Sequence, residues 1–268
     1  IYSGFNTKYA LDMYRKSAYN RKYRKRKAKA FRLCRRGETE REVKRMIRYI
    51  VKRSGDKVSF DARKIKSAIF KANTRIAAER MSDADLNELT EEVLTALEKL
   101  PEQIDEMLKH KENIQFFASK YFNASDMYFI GRNVDYAASL EASLKLKEIS
   151  YIHSEAYAAG ELKHGTIALI EENRLVIAVA CYEPLFDKTM SNVKEVKARG
   201  ARVLGVALEG NRAIYSEADD VILVPRMDDL FVVPAEIVPL QLFAYYVAKA
   251  NGCAIDKPKN LAKSVTVE

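Results

Sequence analysis

The sequence predicts an α/β fold for its larger part. A three-layer parallel sheet with flanking helices is expected across residues 101–268, preceded by a small α+β module across 46–100 and a basic segment across 1–45. Three observations predict this. Short apolar runs at 127–130, 166–170, 175–180, 203–208 and 221–224 alternate with amphipathic stretches near 135–149, 186–199 and 234–250, the pattern of buried parallel strands covered by helices on both faces. Between 46 and 100, two brief strand-like runs meet at Ser54, Gly55 and Asp56 and give way to helical periodicity. The net charge of +9 belongs to one end: residues 1–53 hold 19 Lys and Arg against 4 Asp and Glu, the remainder 27 against 33.

The first segment carries Arg21, Lys22, Arg24, Lys25, Arg26, Lys27 and Lys29, with Tyr2, Tyr9, Tyr14, Tyr19 and Tyr23 around them. Cations interleaved with tyrosines can neutralise phosphates and stack on bases. Like charges this dense also repel one another, and no groove-reading motif accompanies them, so a disordered segment is expected here and nucleic acid is not expected as a partner. In the second segment Asp61 is placed to cap a helix burying Ile65, Ile69 and Phe70, and a second helix begins near Asp83 with Leu86, Leu89, Val93, Leu94 and Leu97 at helical spacing. In the third, Phe129, Ile130, Gly131, Arg132 and Asn133 read as a strand entering a glycine turn and a helix, a geometry that suits anions at the carboxyl ends of strands, although the full dinucleotide-binding glycine pattern is missing.

Several function classes are disfavoured. No run approaches the roughly 20 apolar residues of a membrane span, and the N-terminus has no apolar core of a signal peptide, so a cytoplasmic protein is expected. Cys34, Cys181 and Cys253 are far apart, without CxxC spacing or a neighbouring histidine, which argues against both a zinc site and a disulfide framework.

Chemistry concentrates between 138 and 165. On a helix Glu141, Lys145 and Glu148 fall at i, i+4 and i+7, so an acid, a base and a second acid line one face. Spacing alone leaves two readings open, a proton-transfer array and an ordinary exposed Glu/Lys ladder. His164 follows in a polar loop between Gly160 and Gly165 and could titrate near neutrality.

Taken as a string, Leu140 and Glu141 through Lys145, Leu146, Lys147, Glu148, Ile149, Ser150, Tyr151, Ile152 and His153, then Glu155, Ala156, Tyr157 and residues 160–165, resemble the second SIS (sugar isomerase) subdomain of the glucosamine-6-phosphate synthase family. The likeness extends through residues 192–200 and 239–242 to the C-terminal tail at 256–268. The resemblance implies a SIS-type sheet and work on fructose 6-phosphate and glucosamine 6-phosphate in amino-sugar biosynthesis, with no cofactor at this lobe, no metal, and a homodimer formed through it. It implies Glu148 as the acid/base that moves a proton between C1 and C2, with Lys145 and Glu141 as its pocket neighbours. It further implies His164, supplied from an adjacent subunit, for ring opening, Lys263 as the lysine that forms an imine with the open-chain ketose, and Ala262 beside the substrate. Departures are also visible. No glutaminase domain and no Ser/Thr-rich phosphate loop of a first SIS subdomain precede residue 101, and the chain opens on Ile1, so a fragment or chimera is expected.

Upstream, Val51, Lys52, Arg53 and Gly55, then Phe60, Asp61, Lys64 and Ile65, resemble the opening of the ATP-cone of ribonucleotide reductases. That resemblance implies ATP or dATP as ligand, with Lys52, Arg53 and Lys64 at its phosphates. The alternative reading for the whole chain is therefore a non-catalytic, nucleotide-regulated sugar-phosphate-binding protein.

Overall fold

A computed structural model describes residues 49–52, 54–75, 80–227, 229 and 231–259. The expectations for residues 1–45, Arg53, Ala262 and Lys263 lie outside the described residues. Two compact units part between Glu98 and Lys99.

In the first unit β1 (Tyr49–Val51) and β2 (Lys57–Ser59) pair antiparallel, with Ile50 opposite Val58. The turn is closed by Lys52 N–H on the Asp56 carbonyl at 2.9 Å, and Gly55 takes φ +88°, the left-handed region that glycine enters at no steric cost. Helix α1 (Ala62–Thr74) starts where the sequence places it, with the Asp61 carboxylate accepting from Arg63 N–H. Its apolar residues Ile65, Ile69 and Phe70 are half-buried rather than buried. Helix α2 (Asp83–Lys109) follows, opened by Ser82 and Asp85 exchanging side-chain-to-backbone bonds, and buries Leu86 and Leu89. It continues through Pro101, the point at which the sequence changes character.

The second unit contains the rest of α2 and α3 (Lys111–Tyr121), β3 (Asp126–Gly131), α4 (Val134–Ser150), β4 (His153–Ala158), β5 (Leu175–Ala180), α5 (Phe186–Lys197), β6 (Arg202–Leu208), β7 (Asp220–Val224) and α6 (Val232–Ala250). Its five strands are all parallel in the order β4-β3-β5-β6-β7. Alternate strand residues feed two cores. Met127, Phe129, Ile177, Leu204 and Val206 pack against α3, α4 and α6, while Tyr128, Ile130, Val176, Ala178 and Val203 pack against α5. The expected three-layer parallel sheet is therefore present.

The strand assignment needs one exchange. The apolar run at 166–170 is a 3-10 turn, Thr166–Leu169, and the fifth strand is instead His153–Ala158, whose sequence is largely polar. The reason is its place: β4 is an edge strand paired only with β3, so much of its surface stays in contact with solvent and no apolar run marks it.

The reversal of strand order lies between β3 and β5, because the chain leaves β3 for β4 on one side and returns to β5 on the other. Gly131 ends β3 there. A Cβ on it would meet the Asp135 backbone at 2.5 Å, so the close approach of strand to helix requires glycine.

Candidate functional site

Helix α4 presents Glu141, Lys145 and Glu148 together. Lys145 Nζ lies 2.7 Å from Glu148 Oε2 and 3.6 Å from Glu141 Oε1, so one ammonium bridges two carboxylates. All three side chains are about one-third exposed or less, which separates them from a freely solvated ladder. The hydrogen bond to Glu148, with the charge of Glu141 behind it, raises the Lys145 pKa against the opposing effect of burial. The cluster is thus a pair of carboxylates around a firmly protonated lysine, partly open to solvent.

Its position differs from the expectation drawn from parallel sheets. Helix α4 starts at the carboxyl end of β3 and runs back, so Glu148, in its last turn, lies toward the amino edge of the sheet. His164 ends the 3-10 segment Ala159–His164 that leaves β4, and so lies at the carboxyl edge, about three-quarters exposed, with Nε2 3.8 Å from Glu161 Oε2. Six residues of strand, roughly 20 Å, separate the two edges. One chain does not bring His164 to Glu148.

At the carboxyl ends of β3 and β5 stands a pair of acids instead. Asp135, in the first turn of α4, and Glu236, near the start of α6, are both 0% exposed. Asp135 accepts from Tyr182 N–H, 3.0 Å from Oδ1 and 3.3 Å from Oδ2. The Glu236 oxygens meet no donor if both acids are ionised. A proton held by Glu236 and shared with Asp135 supplies the missing donor, at a place where two helix N-termini meet. Burial pushes Asp135 up to about 7, and burial with the adjacent Asp135 charge raises Glu236 well above the usual carboxylate range. The pair occupies the crevice where open α/β sheets ordinarily bind ligands. Sequence reasoning missed the pair, although Glu236 is the single acid in the otherwise apolar stretch of α6, a pattern that marks a buried carboxyl.

In the first unit, Lys64 lines an open depression on α1 with Arg63, Ser67, Ala68 and Lys71. Lys52 is exposed at the hairpin turn and is not among those lining residues. Arg63 is tied to Asp61 at 2.8 Å.

Residues 120–249 match the SIS domain family. The fold of this part is of the SIS type. Residues 48–129 match the ATP cone domain family, a stretch that runs past Leu100 to include α3. The SIS part is 54% identical over 177 residues to a glutamine–fructose-6-phosphate aminotransferase (isomerizing) of Caldanaerobacter subterraneus, covering 66% of this chain and 29% of that protein. The corresponding Clostridium acetobutylicum protein is 51% identical over 182 residues, covering 68% and 30%. The chain therefore spans about 30% of the length of the curated relatives it matches. Among solved structures, the C-terminal domain of glucosamine-fructose-6-phosphate aminotransferase from Francisella tularensis superposes with a TM-score of 0.59 at 34% identity over 67% of this chain and 50% of that one. A Clostridium novyi protein described as a tagatose-6-phosphate ketose/aldose isomerase shares the fold alone, with a TM-score of 0.58 at 18% identity over 67% of this chain and 48% of that one. No helix among the described residues is long and apolar enough to cross a membrane.

Proposed function

We propose that the SIS domain acts as the isomerase lobe of a glutamine:fructose-6-phosphate aminotransferase of amino-sugar biosynthesis. The observation that carries this reading is the Glu141–Lys145–Glu148 cluster on α4, partly buried and bridged by Lys145, within a domain about half identical to curated enzymes of that name. Converting a ketose phosphate toward an aldose requires ring opening and then proton transfer between C1 and C2, and needs no cofactor. Glu148 serves as the acid/base, with Lys145 and Glu141 setting its charge environment. Lys263 supplies an amine that adds to the C2 carbonyl of open-chain fructose 6-phosphate and expels water to give an imine, while Ala262 lies beside the sugar. His164 assists ring opening. Because His164 and Glu148 stand at opposite edges of one sheet, they can share a substrate only across two copies, which supports a homodimer through this lobe. Leu140 and Leu144, exposed one helical turn apart on α4, supply apolar surface for it.

The match to the ATP cone family favours a second reading for the first unit: ATP or dATP binds along the α1 depression through Lys64, with Lys52 and Arg53 reaching its phosphates from the hairpin. In that reading the SIS domain senses a sugar phosphate without turning it over. One experiment separates the two. The 268-residue chain is titrated with fructose 6-phosphate, then treated with borohydride, and adducts are mapped by mass spectrometry. Saturable binding with a reduced adduct on Lys263, lost in Lys263→Ala, supports the isomerase lobe. Binding without an adduct supports the sensor, and no binding overturns both.

A further inference from the structure

Arg132 stands just past the carboxyl end of β3, between Gly131 and the start of α4, with its guanidinium held in place and its fork unspent. The residue is half-buried. Its Nε donates to Asn192 Oδ1 at 3.0 Å, and Asn192, buried on α5, donates its own amide to Glu195 Oε2 at 3.1 Å. Glu195 Oε1 in turn lies 2.8 Å from Lys163 Nζ. This chain of side-chain bonds fixes one side of the guanidinium. The other side lies against Gly160, where a Cβ would come within 3.1 Å of both Nη1 and Nη2. Among the described residues no carboxylate forms a salt bridge with Arg132, and its two Nη groups donate to no acceptor. A guanidinium that spends one N–H on its aim and leaves both ends of the fork open is set to receive a bidentate anion.

The segment that packs on this fork also carries His164. Gly160 and His164 lie four residues apart in one 3-10 segment, roughly 8 Å at about 2.0 Å per residue. In the ring form of fructose 6-phosphate the ring oxygen joins C2 to C5, and the phosphate is carried on C6, the carbon next to C5. A group that assists ring opening and a group that holds the phosphate therefore belong side by side. We propose that Arg132 binds the phosphate of the sugar from the same copy that supplies His164, so that C1 and C2 reach Glu148 of the other copy. The proposal rests on the isomerase reading of Glu148 and His164. Asn192 aims the fork, and the site stands on the α5 side of β3, clear of the crevice that Asp135 and Glu236 fill. A single fork is a weaker anchor than a loop of several donors, so modest affinity is expected.

The test is a calorimetric titration of the full 268-residue chain with fructose 6-phosphate, fructose and inorganic phosphate in turn. In Arg132→Gln the affinity for fructose 6-phosphate should fall roughly 10- to 100-fold, the effect of losing a charge-assisted pair, while fructose is bound as before. Arg132→Lys should recover only part of the loss, because an ammonium restores the charge and not the fork. A measurement on the wild type avoids any folding defect of the variants. Phenylglyoxal modifies guanidinium groups, and mass spectrometry then compares Arg132 with Arg202, which starts β6 at the opposite edge of the sheet. Fructose 6-phosphate should slow modification of Arg132 several-fold and leave Arg202 unchanged. Equal modification of Arg132 with and without the sugar phosphate, or an unchanged affinity in Arg132→Gln, would overturn the proposal. Inorganic phosphate that protects Arg132 as well as fructose 6-phosphate does would keep the phosphate site and overturn the isomerase reading. A wild type that binds none of the three would overturn both.

Discussion

Replacing Glu236 by glutamine should make the SIS domain more stable at pH 8 and flatten its dependence on pH. Asp135 and Glu236 are fully buried, and among the described residues the groups facing them are the Cys181 thiol and backbone N–H, the Tyr182 backbone N–H and hydroxyl, and Asp229, with no cation among these. A carboxyl whose pKa is higher in the folded protein keeps a proton that the unfolded chain has released. Its contribution is complete below about pH 4 and is lost as pH rises through the folded value. For Asp135, raised from 3.8 to about 7, the loss between pH 5 and pH 8 is on the order of 3 kcal/mol at 1.36 kcal/mol per unit. Glu236, raised in the same direction, adds to it with the same sign. For a domain of this size each kcal/mol moves the melting temperature by roughly 2–4 °C, so the wild type should melt about 6–12 °C lower at pH 8 than at pH 5. In Glu236→Gln the amide can donate to Asp135 without a titrating proton, so the fall should shrink by more than half and the two melting curves should cross. Calorimetry on both proteins from pH 5 to 8 decides the matter, and the difference between them cancels groups common to both. Parallel curves would show that the two acids do not share a proton.

Two further outcomes follow from the geometry. Gly131→Ala places a methyl group 2.5 Å from the Asp135 backbone, a clash with atoms that cannot rotate away, and urea denaturation should show a loss of about 3 kcal/mol or more; a loss under 1 kcal/mol would mean that strand and helix are not in close contact. The 268-residue chain should isomerise fructose 6-phosphate slowly if at all, because effective positioning can be worth roughly 7–11 kcal/mol of barrier and the crevice beside β3 and β5, where a phosphate would ordinarily be anchored, is filled by the Asp135–Glu236 pair. Fast turnover abolished by both Glu148→Gln and Lys263→Ala would show that this domain holds its substrate unaided.

Much of the fold was legible because local rules and tertiary structure agree. The turn at Gly55, the cap at Asp61, the start of α2 at Asp83 and four of the five parallel strands all follow from pattern. The exchange of His153–Ala158 for the run at 166–170 shows where pattern stops: an edge strand is not buried enough to display an apolar run, whereas a partly exposed 3-10 turn can carry one. The Glu141, Lys145 and Glu148 cluster was legible as a face of one helix, since i, i+4 and i+7 determine adjacency. Its edge of the sheet was not, because that depends on which end of the helix is attached to the strand. The Asp135–Glu236 pair joins residues about 100 apart in sequence, and no local period records such a meeting.

These facts together explain how the Glu141, Lys145 and Glu148 cluster comes to lie on a helix face and not at the strand ends. In an open parallel sheet the crevice at the reversal of strand order is the usual ligand site, because two helix N-termini and two strand ends leave donors pointing into it. Here α4 and α6 bring their N-termini to that place, and the protein answers them with its own carboxyl pair rather than with a ligand's phosphate. The crevice becomes a buried joint between the two helices. Glu148 at the far end of α4 is then attached to a helix pinned at its start by Gly131 and Asp135 and at its finish by the bonds of Ser150 and Tyr151 to the outgoing chain. In the acid/base role proposed for it, Glu148 would benefit from such a mount. Loosening either end should therefore disturb Glu148 through the helix.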